Sequence, residues 1–294
     1  MKLDPVLLNM ACSWAMKAYN DKNPKAIKIE SKLTSTTVYI AKRKTIDIIS
    51  FRGTQQGRDW LTDAMVIPVF YAGRLCHGGF ALAHKSVWKK VVPHIDPKKR
   101  TLICGHSLGG ALAELSAAKI WKKHPNVNLI TFGKPNTFFK GFKLPMKLDK
   151  QISCVQGSDM VARIPRLCYG PSKSQTMLYF ANSGMDYIDP EKSLRTTDRK
   201  GGAISERITD HMMDGYEERL NMFLALQDEI PNEDELDKNQ SKKEQTEEFE
   251  ISDEEIAKAK ELLKNVEKNK KRNEVVSQMS YLKNNLELYP YSAY

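Results

Sequence analysis

Apolar and polar positions alternate along the chain with two different periods, and their order predicts an α/β fold. Apolar runs of four to seven residues predict buried strands, whereas longer stretches with helical spacing of apolar positions predict helices. The predicted strands are residues 37–41, 45–51, 101–104, 127–132 and 151–156, and the predicted helices are residues 79–92, 110–124 and 210–226. Buried strands that alternate with helices indicate a mostly parallel sheet with helices on both faces.

The start of the chain and its cysteines bear on the cellular compartment. Asp4 and Pro5 suit the N-cap and the first helical position, so the apolar residues after them predict a helix better than a secretory leader. The cysteine count is odd, at five, and no CxxC spacing occurs. No apolar run reaches the 18 residues typical of a transmembrane helix. We therefore expect a cytoplasmic protein without disulfide bonds.

The character of the chain changes after Gln227. Residues 228–255 hold 13 acidic and three basic side chains, a composition typical of a disordered, solvated linker. Apolar residues then recur at helical spacing in two short stretches. The sequence thus predicts a folded domain over residues 1–227, an acidic linker over residues 228–255, and a helical tail over residues 256–294 that docks on the domain or on a second copy.

Charge is distributed unevenly between these parts. Residues 228–294 hold 17 acidic and 11 basic side chains, against 36 and 46 in the whole chain, so residues 1–227 carry a net charge of +16. A body this basic is attracted to anionic surfaces. We therefore expect either peripheral contact with an anionic membrane surface or, as the alternative, a Lys-rich surface that is simply exposed to solvent. Nucleic acid is not an expected partner, because no zinc-finger or RNP motif is present.

The pentapeptide Gly105-His106-Ser107-Leu108-Gly109 stands between a predicted strand and a predicted helix. In a Gly-x-Ser-x-Gly pattern at such a corner, the chain turns sharply and presents the serine hydroxyl at the helix N-terminus. The glycines let the strand and the helix cross closely, and the free N–H groups of the first helical turn favour developing negative charge. This context predicts that Ser107 is the nucleophile of a serine hydrolase.

Chain order limits the base and the acid that such a serine needs, because α/β-hydrolases place the acid and then the histidine after the serine. Only His124 and His211 follow Ser107, and His124 ends the predicted helix about 25 Å away. His211 is therefore the predicted base, and His106 is expected to support the turn. Asp159 is the favoured acid, because it follows a strand at its carboxyl end. Its competitors are Asp149, Asp186, Asp189, Asp198 and Asp210.

Two loops compete to complete the oxyanion hole beside the backbone N–H of Leu108. The first, residues 51–54, ends in Thr54, which offers both a backbone N–H and a hydroxyl. The second, residues 77–80, reads HGGF and lacks the third glycine of the HGGG signature of some esterases. The residue pattern alone leaves both loops open.

Six blocks of sequence, in order, resemble the class 3 lipase family of fungal-type α/β-hydrolases. They are FRGTQQGRDWLTDAMVIP, CHGGF, GHSLGGALAELSA, LITFGKPN, VQGSDMVARIP and DHMMDGY. The resemblance implies an α/β-hydrolase fold for the body, and it does not extend to the predicted C-terminal helical tail. The catalytic triad that the resemblance implies is Ser107, Asp159 and His211, and the implied oxyanion hole is Thr54 with Leu108.

The resemblance also implies a lid over residues 55–67. Asp63 matches the family aspartate that bonds the oxyanion-hole hydroxyl in the active form, and Trp60 belongs to the apolar half of the segment. The first half of the segment is polar. This departs from the broad apolar lid of family members that act on fat droplets.

These residues indicate an enzyme of the lipase or phospholipase type, which hydrolyses fatty-acyl esters of glycerolipids through an acyl-serine intermediate. One alternative is an esterase for soluble short-chain esters. Another is a catalytically idle hydrolase fold that acts as an interaction protein through its tail, although no triad residue is missing. No cofactor and no metal is expected, because no Walker A motif, dinucleotide fingerprint or metal-ligand cluster occurs.

Overall fold

The computed structural model describes residues 3–20, 25–54, 67–147, 150–166, 168–200 and 209–226. The predicted linker and the helical tail lie outside the described residues, as do Trp60 and Asp63 of the predicted lid. The boundaries of the linker, the tail and the lid therefore stay predictions.

Helices and strands alternate along the described chain. The helices are α1 (Pro5–Lys17), α2 (Gly78–Val91), α3 (Leu108–Ile120), α4 (Lys192–Lys200) and α5 (Met213–Ala225). The strands are β1 (Ile27–Ser31), β2 (Thr36–Lys42), β3 (Ile46–Phe51), β4 (Pro68–Tyr71), β5 (Arg74–His77), β6 (Arg100–His106), β7 (Val127–Phe132), β8 (Phe138–Phe139), β9 (Gln151–Gln156), β10 (Tyr169–Gly170), β11 (Thr176–Phe180) and β12 (Asp186–Ile188).

A central sheet of eight strands has the order β1-β2-β3-β6-β7-β9-β11-β12. Its five middle strands, from β3 to β11, are parallel, and antiparallel strands complete both edges. A second sheet, in the order β10-β8-β5-β4, is antiparallel. The carboxyl ends of the parallel strands meet along one edge of the sheet, where α/β proteins place their sites.

Apolar side chains bury both faces of the central sheet. Helices α1 and α5 pack on one face, and helices α2 and α3 pack on the other. The middle strands are buried along nearly their whole length, as expected for a parallel sheet covered on both sides. The fold is an α/β-hydrolase fold with a mostly parallel sheet, as the sequence predicted.

Local signals set the first helix. The Asp4 side chain accepts hydrogen bonds from the backbone N–H groups of Val6 and Leu7, and Pro5 opens the helix. These contacts satisfy two of the four N–H groups that lack a partner inside a helix. The predicted N-cap is confirmed.

Helix boundaries differ from the prediction at both ends of each predicted helix, and α3 ends at Ile120 rather than at His124. The starts of α3 and α5 bear most on the candidate site. Helix α3 begins at Leu108 rather than Gly110, because the glycines at its start are part of the first helical turn. Helix α5 begins at Met213 rather than Asp210, since residues 209–212 form a turn closed by a bond from the Met212 N–H to the Thr209 carbonyl. That turn frees the side chain of His211 from the helix.

No helix in the described part of the chain is long and apolar enough to cross a membrane. All five cysteines are free thiols, and four of them are buried.

Candidate active site

Ser107 stands at the corner between β6 and α3. Its backbone has φ 56° and ψ −128°, a left-handed conformation that L-residues adopt only under local constraint. The backbone carbonyl of Phe132 accepts a hydrogen bond from its N–H at 2.9 Å, which fixes the corner against the next strand. The side chain makes no capping bond to the helix, so the hydroxyl is available for other partners.

Two glycines make this corner sterically possible. A methyl group on Gly105 would lie 2.5 Å from the backbone of Gly109, and one on Gly109 would overlap the carbonyl of Phe51 at the end of β3. Side chains at either position would force the helix away from the strands. The sequence correctly predicted that these glycines allow a close crossing.

The structure brings Ser107, His211 and Asp159 together. The Ser107 Oγ lies 2.8 Å from His211 Nε2, and His211 Nδ1 lies 2.9 Å from Asp159 Oδ2. The carboxylate of Asp159 is fully buried, whereas the His211 side chain keeps 14% of its surface exposed. The order of contacts, hydroxyl to imidazole to carboxylate, is the arrangement that activates a serine.

The Asp159 carboxylate is held by further donors. Its Oδ1 accepts bonds from the backbone N–H groups of Val161 at 2.7 Å and Ala162 at 3.3 Å. The hydroxyl of Tyr216 donates to Oδ2 at 2.6 Å, and the same hydroxyl accepts a bond from the Gln156 N–H. These donors hold the buried carboxylate in one orientation.

The competing aspartates serve other roles where the structure describes them. Asp210 accepts a bond from the Ser158 N–H at 3.2 Å, which ties the loop of His211 to the turn before Asp159. Asp186 pairs with Arg219, and Asp189 accepts from the Met177 N–H. The Asp198 carboxylate accepts bonds from Tyr179 and Asn182, and Asp149 lies outside the described residues.

Gly133 is a requirement of the site that the sequence reading missed. It follows β7 with φ +54°, and a methyl group there would lie 2.7 Å from Asp159 Oδ2 and 3.1 Å from His211 Nδ1. Any side chain at Gly133 would therefore displace the pair formed by the acid and the base. The pattern Phe-Gly-Lys-Pro after a buried strand was the available signal.

The oxyanion-hole candidates lie on two elements. Leu108 opens α3, where the first N–H groups have no partner inside the helix. Thr54 lies three residues beyond the end of β3, which pairs with β6. A methyl group on Gly53 would lie 2.7 Å from the carbonyl oxygen of His106, so this loop packs directly against the residue before Ser107.

The alternative loop, His77-Gly78-Gly79-Phe80, forms the start of α2. His77 is buried and stacks on Phe80 with ring centroids 4.1 Å apart. Burial lowers the pKa of His77 to about 4, which keeps its ring neutral. This block therefore packs as a structural element.

Within the described ranges, no group of three or more His, Cys, Asp or Glu side chains could hold a metal ion.

The sequence pattern of the family described as lipase (class 3) matches residues 48–168. A secreted mono- and diacylglycerol lipase of Fusarium solani is 30% identical over 156 residues, which cover 47% of this chain and 45% of the relative. A lipase of Rhizomucor miehei is 33% identical over 170 residues, covering 52% of this chain and 44% of the relative. The chain thus spans less than half the length of these curated relatives.

Solved structures share the fold. The triacylglyceride lipase of Rhizomucor miehei superposes with a TM-score of 0.56 at 17% identity, over 69% of this chain and 90% of that one. A lipase from Rhizopus microsporus var. chinensis gives a TM-score of 0.56 at 22% identity, over 70% of this chain and 84% of that one.

The comparisons also bear on two earlier expectations. The Fusarium solani relative is a secreted protein by name, so the expectation of a cytoplasmic protein finds no support among the relatives. The expected family, in contrast, is the one whose pattern matches. Residues 48–168 of this chain thus match the pattern of the class 3 lipase family.

Proposed function

We propose that the protein is a serine ester hydrolase that cleaves fatty-acyl esters of glycerolipids. The observation that carries the proposal is the continuous contact from Ser107 Oγ through His211 to the buried Asp159. The catalytically idle alternative is disfavoured by the same contacts, because an idle fold has no need to keep a strained serine bonded to a histidine.

In the acylation step, Ser107 Oγ attacks the ester carbonyl while His211 Nε2 accepts its proton. The carbonyl π electrons move onto the oxygen, and the N–H of Leu108 with the donors of Thr54 stabilises that oxyanion. Asp159 stabilises the imidazolium without itself taking the proton. The tetrahedral intermediate then collapses, the bond to the alcohol oxygen breaks, and His211 donates its proton to the leaving alcohol.

In the deacylation step, water takes the place of the alcohol. His211 accepts a proton from the water as its oxygen bonds to the acyl carbon. The second intermediate collapses with cleavage of the bond to Ser107 Oγ, which regains a proton from His211. The fatty acid leaves, and the site returns to its starting state.

The glycerolipid substrate is inferred from the relatives. One is named as a mono- and diacylglycerol lipase, and the fold is shared with a triacylglyceride lipase. We propose in addition that the basic body, with a net charge of +16 over residues 1–227, binds peripherally to anionic lipid surfaces. Binding to neutral and anionic vesicles should then differ at low salt and converge at high salt.

We also propose a cellular compartment for the protein and a role for its C-terminal tail. Buried free thiols favour a reducing compartment and thus a cytoplasmic protein, whereas the named relatives are secreted. Subcellular fractionation with an antibody against the chain distinguishes the two. Self-association through residues 256–294 predicts that the molecular mass measured by light scattering falls to that of a monomer when the tail is removed.

The decisive experiment measures fatty-acid release from short-chain and long-chain glycerolipids, below and above their aggregation thresholds. Ser107→Ala is the negative control, and we expect its turnover to be lower by on the order of 10⁶-fold. Ser86→Ala is the matched control. It removes a hydroxyl in helix α2 that is bonded to Thr34, and it should keep full activity.

Each outcome has a definite meaning. Release from aggregated long-chain lipid that is absent in Ser107→Ala supports the lipase proposal. Activity confined to dissolved short esters would make the protein a soluble esterase. Equal release by Ser107→Ala and the native protein would remove the assignment of the nucleophile.

A further inference from the structure

A second histidine lies against the candidate base. The His106 Nε2 lies 2.7 Å from the backbone carbonyl oxygen of His211, and the two rings are 4.8 Å apart at 32°. On its other side, His106 Nδ1 lies 2.7 Å from the hydroxyl of Tyr19. Tyr19, in the turn after α1, thus connects to the base through one intervening ring.

The hydrogen bonds define the tautomer of His106. A carbonyl oxygen only accepts, so His106 Nε2 must carry the proton that it donates to His211. A neutral imidazole has a single N–H, which leaves Nδ1 as the acceptor for the hydroxyl of Tyr19. Burial lowers the pKa of His106 well below its usual value, and the neighbouring His211 lowers it further. The ring is therefore a neutral bridge with a defined direction of donation.

The bridge matters because of where His211 lies. His211 stands in the turn between residues 209 and 212, outside any helix or strand. Its side chain is held by Asp159 on one side. His106 donates to the backbone carbonyl of His211, so that both the side chain and the backbone of His211 are anchored. A neutral partner also suits a base that becomes positively charged during turnover.

Tyr19 reaches a second part of the site. A methyl group on Gly53 would overlap the Tyr19 hydroxyl, so this hydroxyl lies against the loop that carries Thr54. Tyr19 itself lies outside residues 48–168, the part of the chain that matches the family pattern. The turn after α1 thereby contributes to a site whose nucleophile is almost 90 residues away.

We propose that Tyr19 and His106 are positioning residues that hold His211 in line with Ser107. The proposal rests on the proposed ester hydrolase function. Without the Tyr19 hydroxyl, Nδ1 of His106 loses its hydrogen bond, and the ring is held in place only by its bond to the His211 carbonyl. The backbone of the base is then less firmly anchored, although every residue of the triad is still present.

The first test is Tyr19→Phe, assayed with a soluble short-chain ester. We expect kcat to fall roughly 10-fold to 100-fold with KM unchanged, since small displacements of a catalytic group act on the chemical step rather than on binding. Reaction of Ser107 with a phosphonate ester should slow by a similar factor.

The chain offers a matched control in Tyr71→Phe. The Tyr71 hydroxyl lies 2.8 Å from Nδ1 of buried His84, whose Nε2 lies 2.8 Å from the hydroxyl of Ser116. The Ser116 hydroxyl donates to the carbonyl of Leu112, so His84 has the same tautomer as His106. Tyr71→Phe therefore removes the same kind of bond from a pair that does not touch His211, and should leave kcat within about twofold.

The second test replaces His106. In His106→Gln, the side-chain amide nitrogen takes the place of Nε2 and keeps a donor for the His211 carbonyl, whereas His106→Asn places its amide nearer to Tyr19. We expect His106→Gln to keep at least about tenfold more activity than His106→Asn. Adding Tyr19→Phe to His106→Asn should cost less than about twofold more, because both changes break the same connection.

The outcomes separate this proposal from the proposed function. If the native protein releases acid from esters and Tyr19→Phe retains native kcat, the positioning role is overturned and the hydrolase stands. Equal kcat losses in Tyr19→Phe and Tyr71→Phe, or additive losses in the double variant, would also overturn it. If the native protein reacts with neither esters nor the phosphonate, it is the hydrolase function that fails.

Discussion

Four donors surround the carboxylate of Asp159, and their arrangement explains why a fully buried charge is tolerated there. Two backbone N–H groups, the Tyr216 hydroxyl and the His211 ring together use both oxygens. An unpaired carboxylate in the same place would be strongly disfavoured. The acid is thus oriented both by the turn that follows β9 and by Tyr216 of α5.

Removing the hydroxyl of Tyr216 tests this arrangement. In Tyr216→Phe, Asp159 Oδ2 loses its 2.6 Å donor and the Gln156 N–H loses its acceptor. We expect the free energy of unfolding to fall by about 1–3 kcal/mol and kcat to fall roughly tenfold. Urea unfolding and ester hydrolysis measure the two effects.

Tyr179→Phe is the comparison for this change. The Tyr179 hydroxyl donates to Asp198 rather than to Asp159, so this variant should lose stability but keep kcat. A native kcat in Tyr216→Phe would contradict the role of the tyrosine in orienting Asp159.

Sequence reasoning predicted candidate residues where chain order constrains them, and it did not predict the contacts that only the fold brings about. His211 was predicted to be the base because only two histidines follow Ser107, and the other, His124, ended a predicted helix. No rule of chain order applies to Tyr216, Gly133 or Tyr19. Their contacts join residues that are far apart in the sequence, and a local sequence pattern does not encode such contacts.

At the scale of elements, the junction of β6 and α3 stores strain in one residue. A serine at φ 56° costs about 1–3 kcal/mol relative to an ordinary conformation. Its side chain makes no capping bond that would offset this cost. The packing of α3 on β3 and β7 maintains the conformation.

This strain predicts an inverted order of stability between alanine and glycine at Ser107. Ser107→Gly should be about 1 kcal/mol more stable than Ser107→Ala, because glycine adopts a positive φ without a penalty. At Ser86, inside α2, glycine should instead be about 1 kcal/mol less stable than alanine. Thermal or urea unfolding of the four variants checks this, and the same order at both sites would exclude strain at Ser107.

A buried ion pair joins α3 to the loop that follows β7. Lys134 Nζ lies 2.9 Å from Glu114 Oε2, and the two side chains are only 3% and 1% exposed. Gln175 donates to the other carboxylate oxygen of Glu114. The pair thus connects the helix that begins after Ser107 with the loop that contains Gly133.

Breaking one half of this pair should be costly. Glu114→Ala leaves the Lys134 charge buried without a partner, and we expect a loss of about 3–5 kcal/mol in the free energy of unfolding. The double variant Glu114→Leu with Lys134→Met should recover most of that loss. Glu30→Ala breaks the exposed pair with Lys28 and should change stability by less than about 1 kcal/mol. Equal effects of Glu114→Ala and Glu30→Ala would show that the buried charge is compensated elsewhere.

Helix boundaries near the site show what the sequence pattern leaves undetermined. Periodicity predicted β7 and β9 to the residue, because buried strands in a parallel sheet are continuous apolar runs. It misplaced the start of α5, where the turn at residues 209–212 is set by contacts between His211 and other elements. The small sheet of β4, β5, β8 and β10 was also missed, since strands of two to four residues have no measurable period.

At the scale of the whole molecule, three buried histidines make folding depend on pH. Burial lowers the pKa of His84 to about 3 and that of His77 to about 4, and it lowers the pKa of His106 well below its usual value. In the unfolded chain, each histidine titrates near 6.5. Between about pH 6.5 and pH 4, the unfolded chain therefore binds protons at these positions that the folded chain does not.

The sign of the effect follows from that difference in bound protons. Stability is complete above the unfolded pKa and decreases as the pH falls below it, because protonation favours the unfolded chain. From pH 7 to pH 5.5, each histidine should remove about 1.2 kcal/mol, or about 3–4 kcal/mol for the three together. Urea unfolding at pH 7.5, 7.0, 6.5, 6.0 and 5.5 measures the curve. In His84→Gln, the decrease in the free energy of unfolding between pH 7 and pH 5.5 should be about one third smaller than in the native protein, whatever the variant's stability at pH 7.5. A decrease as large as that of the native protein would contradict the burial of a neutral His84.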